Sequence, residues 1–213
     1  MRNQSDQAGW EQDRPTALHE GYTDLMSGQI ASVVTYLEMR QSPTGLRPRD
    51  SRDLTLRRVE KPDLNWYRDL FRSIGANWLW FSRLKMDDSQ LRSILWDPLV
   101  LVYALEHEGK ESGLLELDCR QPPEIEITFL GVTEELIGKG AGRFLLEQAL
   151  TIGWSRKPER ITVHTCSLDH PNALFFYLRA GFAAYKRAIE VSEDPRLTGV
   201  LPRSVAPNVP IIV

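Results

Sequence analysis

Three features of this 213-residue chain predict an α/β fold: apolar periodicity that switches between two and 3.6 residues, three closely spaced strands between about 99 and 132, and a glycine-rich turn joining a strand to a helix. The proportions agree with one globular domain plus tails, since 42% of residues are hydrophobic and 26% charged. Fourteen Gly, 13 Pro and two Cys exclude a collagen-like chain and a disulfide scaffold. Lys and Arg total 26 against 29 Asp and Glu, a net charge of -3. No global positive field is therefore available to attract nucleic acid, and none is expected as a partner.

The elements follow in order. Residues 1–28 are polar, with little periodicity, and read as a flexible N-terminal arm. The β-branched run at 30–37 suits an extra strand, followed by a loop through Ser42, Pro43, Gly45 and Pro48, so 29–53 reads as strand and linker. Leu54 to Val59 alternates as a strand. Pro62 and Asp63 then start a helix in which Tyr67, Leu70, Phe71 and Ile74 share one face, and Gly75 ends it. A second helix spans about 87–95. Strands at 99–106, 112–118 and 124–132 form a β-meander, punctuated by Glu108-Gly109-Lys110 and Pro122-Pro123. The glycine turn leads into a helix carrying Ala141, Leu145, Ala149 and Ile152. A strand at 160–165, a helix at 172–180 and a strand at 182–191 complete the domain, 54–191. The Pro-rich tail, 192–213, ends on three apolar residues able to dock on another surface.

Gly138, Gly140 and Gly142 alternate between strand and helix, where free amide groups and the positive end of the helix dipole can hold an anion. The lesser alternative is that they only make a tight turn. Neither a P-loop nor a dinucleotide fingerprint fits the spacing. The segment from Val132 to Gly142, Val-Thr-Glu-Glu-Leu-Ile-Gly-Lys-Gly-Ala-Gly, resembles the cofactor loop of the GNAT superfamily of acetyl-CoA-dependent N-acetyltransferases, with Ile137 where Arg or Gln is usual. Downstream, Asn172, Tyr177, Gly181 and Phe182 are spaced like a second block of that family.

The resemblance implies a mixed, mostly antiparallel sheet flanked by helices and splayed between its fourth and fifth core strands, 124–132 and 160–165. It implies that a pantetheine arm bonds the strand edge at Leu130, Gly131 and Val132. It also implies that a pyrophosphate rests on the loop formed by Ile137, Gly138, Lys139, Gly140, Ala141, Gly142 and Arg143, with Lys139 and Arg143 adding charge and Asn172 touching the arm. Acetyl-CoA would be the acyl donor, and no metal is expected. Tyr177 would protonate the departing thiolate, or would merely pack beneath its helix.

For the base, Glu126 sits near the splay and could take the amine proton if it faces the cleft; otherwise it is an ordinary solvated strand residue. Glu116 and Asp118 are weaker candidates. His164, Cys166 and His170 suggest a partial zinc site, but a fourth ligand is missing. A Cys166 nucleophile system lacks facing partners, so a buried thiol and a loop-ordering histidine are preferred. Trp66, Tyr67, Phe71, Trp78, Trp80, Phe81 and Trp96 divide between core and acceptor wall.

The expected protein is a cytoplasmic N-acetyltransferase acting on a primary amine, in a small molecule or peptide, by direct attack in a ternary complex. A noncatalytic acyl-CoA-binding protein is the alternative. No apolar run is long enough to span a membrane, and no membrane partner is expected. A homodimer is compatible with either reading.

Overall fold

A computed structural model describes residues 18–46, 51 and 53–213. Most of the expected N-terminal arm, and Pro48 of the expected loop, lie outside the described residues. Seven strands form one sheet: β1 Gln29–Met39, β2 Leu54–Val59, β3 Val100–His107, β4 Lys110–Asp118, β5 Glu124–Val132, β6 Arg160–Cys166 and β7 Ala183–Glu193. Their spatial order is β2-β3-β4-β5-β6-β1-β7. Neighbours are antiparallel except β5 and β6, which run parallel. The strand expected at 30–37 thus forms in the interior of the sheet, where, among the described residues, it is the only neighbour of β7 and joins it to β6.

Helix α1, Leu64–Gly75, starts where the sequence places it because the Asp63 carboxylate accepts from the amides of Asn65 and Trp66. Its Tyr67, Leu70, Phe71 and Ile74 are buried. Gly75 is its last residue, and a Cβ there would meet the Trp80 side chain at 2.4 Å, so only glycine lets the returning chain pack so closely. A 3-10 turn, Ala76–Trp78, and a four-residue helix α2, Ser82–Lys85, follow. Neither is expected from periodicity, since each is shorter than one apolar repeat. Helix α3, Asp88–Leu95, begins with a capping box between Asp87 and Gln90. Helices α4, Ala141–Ser155, and α5, Ala173–Arg179, complete the set.

Helices cover both faces of the central strands, which explains why β3 and β4 read as almost continuous apolar runs. Leu101, Leu105, Leu115 and Leu117 join the core beneath α4 and α5, while Val100, Val102, Ala104 and Leu114 join the core beneath α1 and α3. One polar cluster is built into the second core. Glu116, wholly buried, accepts from the Arg83 guanidinium and the Tyr67 hydroxyl, each at 2.5 Å. Burial and the Glu116 charge push the Tyr67 phenol well up, so it remains a donor.

The tail is ordered through its end. Arg196 forms a buried ion pair with Asp194 at 2.7 Å and donates to the carbonyls of Ala206 and Val209. This hook presses Leu201 and Ala206 against Leu79 and Ile30, so the docking expected of the three terminal residues is carried mainly by residues before them.

Candidate active site

Strand β5 carries one extra residue. Glu116 of β4 faces Phe129 whereas Leu117 faces Ile127, so Thr128 is a bulge. Before the bulge, Ile125 and Ile127 point beneath α4; after it, Leu130 and Val132 do. On the other edge, pairing with β6 ends at Ile127 and Val163. From Thr128 onward β5 has no strand partner on that side among the described residues. The splay implied between these two strands is therefore present, as a cleft of about 840 Å³ that reaches Leu130, Gly131 and Val132. A Cβ on Gly131 would stand 2.5 Å from Ile74 and 3.0 Å from Trp80, so this strand position accepts only glycine without repacking.

The glycine loop closes one end of the cleft. Gly138 and Gly140 hold φ of +78° and +87°, the left-handed region that other residues rarely adopt. Gly140 is the N-cap of α4 and supplies no side-chain cap. The amides of Gly138, Gly140, Ala141, Gly142 and Arg143 therefore have no acceptor among the described residues. No atom lies within 4 Å of a Cβ built on Gly138, Gly140 or Gly142, leaving an open cradle before those donors. Two parts of the expectation need correction. The Lys139 amide donates to the Leu136 carbonyl and the Ile137 amide to the Glu134 carbonyl, so each is spent within its own turn. The Arg143 guanidinium donates to Glu147 at 2.9 Å, which compensates its charge; Lys139 is exposed and Ala141 lies in the core.

Tyr177 and Asn172 both line the cleft. Tyr177 is 6% exposed, and its hydroxyl has no hydrogen-bond partner among the described residues. Burial, and secondarily the Asp169 charge, raise its pKa, so it is protonated at neutral pH. Asp169 is held by three donors: Trp80 Nε1 at 2.9 Å, the Thr165 hydroxyl at 2.7 Å and the Cys166 amide at 2.8 Å. Asn172 opens α5 without capping it through its side chain.

Glu126 faces the cleft and is paired. Its Oε1 lies 3.1 Å from His164 Nδ1 across the mouth of the splay. Hydrogen bonding to Glu126 raises the His164 pKa above its ordinary value, against the opposing effect of burial. The sequence reading weighs the histidine as a metal ligand, as part of a Cys166 nucleophile system with Asp169 or as a loop-ordering residue, and not as the base for the amine. The available signal is register: Glu126 pairs with Thr162, two residues before His164 on the same strand face. Glu116 is not a base, being fixed in its buried cluster, and Asp118 is paired with Arg120 at 2.5 Å. Among the described residues no group of three His, Cys, Asp or Glu is arranged to hold a metal. His170 Nδ1 instead accepts from the Asn172 amide, and its ring meets Trp78 edge-on at 5.1 Å. The Cys166 thiol is pushed up by burial, away from nucleophilic use. Trp78, Trp80, Phe81 and Phe129 form one wall of the cleft, whereas Tyr67 and Phe71 are core.

The cradle's chemistry fits the diphosphate of a coenzyme A group: several unspent amides converge at a helix N-terminus beside an open strand edge. A putative GNAT-family acetyltransferase from Novosphingobium aromaticivorans is similar at 11% identity and a TM-score of 0.54, over 79% of this chain and 69% of that one. A GCN5-related N-acetyltransferase from Sphaerobacter thermophilus gives 19% identity and a TM-score of 0.57, over 77% of this chain and 52% of that one. An aminoglycoside acetyltransferase from an uncultured soil metagenomic sample, crystallised with trehalose, gives 21% and 0.52, over 64% and 93%. These likenesses concern the fold alone, and the chain spans about half the length of the Sphaerobacter protein. No curated protein matches the chain. The model of the acetyltransferase (GNAT) family matches residues 65–182, more than half of the sequence and the part that contains the bulge, the glycine loop and Tyr177; the chain belongs to that family.

Proposed function

We propose that this protein transfers an acetyl group from acetyl-CoA to a primary amine by direct attack within a ternary complex. The observation that supports this best is the convergence of three features on one cleft: five unspent amides at its end, a carboxylate-histidine pair at its mouth and a protonated tyrosine in its wall. When bound, the cofactor supplies an activated acyl thioester. The amides of Gly138 and Gly140 to Arg143 hold its diphosphate, and the edge of β5 at Leu130, Gly131 and Val132 orients the arm, with Asn172 beside it. Glu126 fixes the His164 ring, whose other nitrogen, when neutral, takes the proton from the incoming amine. Tyr177 gives its proton to the departing sulfur.

An amine-bearing small molecule or peptide suits a cleft that carries Glu126, Asp169 and Glu190 beside an aromatic wall. We place the activity in the cytoplasm because both cysteines are free thiols and no described helix is long and apolar enough to cross a membrane. We also take the folding unit to begin at β1, since β6 and β7 are joined only through it.

The test is release of free thiol from acetyl-CoA in the presence of a panel of primary amines. Turnover with at least one amine, reduced in His164→Ala and Tyr177→Phe, supports the reading. Tight CoA binding without turnover of any amine would instead favour a noncatalytic acyl-CoA binder.

A further inference from the structure

Strand β7 is the outer strand at one end of the sheet, and nine of its eleven residues, Ala183–Glu193, are exposed. Such an edge offers a row of backbone donors and acceptors to any strand that reaches it. Tyr185, Ile189 and Val191 are 46%, 51% and 48% exposed, and Val33, opposite Ile189 on β1, is 46% exposed. Lys186 and Glu190 are exposed too. Neither has an ion-pair partner among the described residues, and Lys186 lies only over the Tyr36 ring at 4.9 Å.

We propose that β7 pairs with β7 of a second copy of this chain, antiparallel, about a two-fold axis at Ala188. Charge selects the partner and the register. With the axis at Ala188, Lys186 stands opposite the partner's Glu190 and, by symmetry, Glu190 opposite the partner's Lys186. Moving the axis to Arg187 or to Glu190 sets like charges directly opposite one another, which is destabilising. Moving it to Ile189 leaves Lys186 facing Ser192 and Glu190 facing Ala188, with no ion pair. On the opposite face, Ile189 and Val33 of the two copies extend one apolar strip across the axis, covered by the stems of Arg187. Because Glu190 and Ser192 line the cleft, the arrangement brings the partner's Lys186 to its rim.

The test is sedimentation of the full chain over a range of concentrations, with wild type, Lys186→Glu, Glu190→Lys and the double charge reversal. All four keep exposed positions, and circular dichroism checks their fold. A dimer is expected for wild type, with a dissociation constant raised at least about tenfold in each single variant and restored to within about threefold in the double. A monomeric wild type, a Lys186→Glu protein that dimerises normally, or a double variant that stays dissociated overturns the proposal. Amide exchange of the wild type gives a second reading. Protection at 186–190 should rise with protein concentration, and protection independent of concentration counts against the pairing.

Discussion

Replacing Gly142 by Ala separates a phosphate cradle from a mere tight turn, because stability and binding should move in opposite directions. Gly142 lies inside the first turn of α4, is free of the positive φ that constrains Gly138 and Gly140, and has no atom within 4 Å of a Cβ built on it. In such a place Ala stabilises a helix by about 0.5–1 kcal/mol. For a chain of this size, that corresponds to a melting temperature higher by about 1–4 °C. The same methyl would stand in the space before the amides. Loss of one charge-assisted hydrogen bond, about 1.5–3 kcal/mol, weakens CoA binding about 10- to 150-fold. Differential scanning fluorimetry and titration calorimetry with CoA measure the two quantities on one preparation. A raised melting temperature with CoA affinity unchanged within twofold would refute the cradle, and with it the placement of the diphosphate.

Three further outcomes are expected. Glu126→Gln should move the acidic limb of the pH-rate profile to lower pH, because the carboxylate raises the His164 pKa and the base must be neutral; an unmoved limb argues against His164 as base. The Glu126–His164 attraction itself is fully present while the imidazole is protonated and is lost as pH rises through its raised folded-state pKa. Tyr177→Phe should lower kcat while leaving CoA affinity intact, read from steady-state kinetics and calorimetry together. Glu116→Gln strands the Arg83 charge, 9% exposed, and should destabilise by about 3–5 kcal/mol in denaturant melts.

Legibility in the sequence followed the range of the interactions. Local signals placed α1 and α3 well, because Asp63 and Asp87 cap neighbours two or three residues away. The loop from Gly138 to Gly142 was legible for the same reason, its spacing being a local backbone requirement. The place of β1 was not, since its partners at Cys166 and Glu193 lie more than 130 residues along the chain and its own composition says only that it is a strand. The bulge at Thr128 was equally hidden: alternation read straight through it assigns Phe129 and Leu130 to the wrong faces. What fixes the tail was hidden for another reason. Four prolines make it irregular, and it is held by Arg196, whose buried guanidinium satisfies Asp194 and three backbone carbonyls, contacts that periodicity does not register.

The bulge and the buried Arg83 cluster together explain why the cleft lies where it does. Beyond Thr128 the face of β5 is reversed, so Phe129 turns toward α1, where its ring meets Phe71 at 4.8 Å and the Arg83 guanidinium at 5.2 Å. Glu116 holds that guanidinium from the neighbouring strand. Trp80 packs on Phe129 at 5.3 Å and donates to Asp169, which also anchors the loop following β6. The two sides of the splay are therefore held apart by packed aromatic rings and a fixed carboxylate, and the open strand edge does not need a ligand to remain open. Binding then spends little on reorganising the sheet, and the strand edge and loop amides can act on a preformed cleft. Shortening Trp80 should accordingly affect arm binding more than it affects the amide cradle, because the tryptophan touches the wall of the splay and not the start of α4.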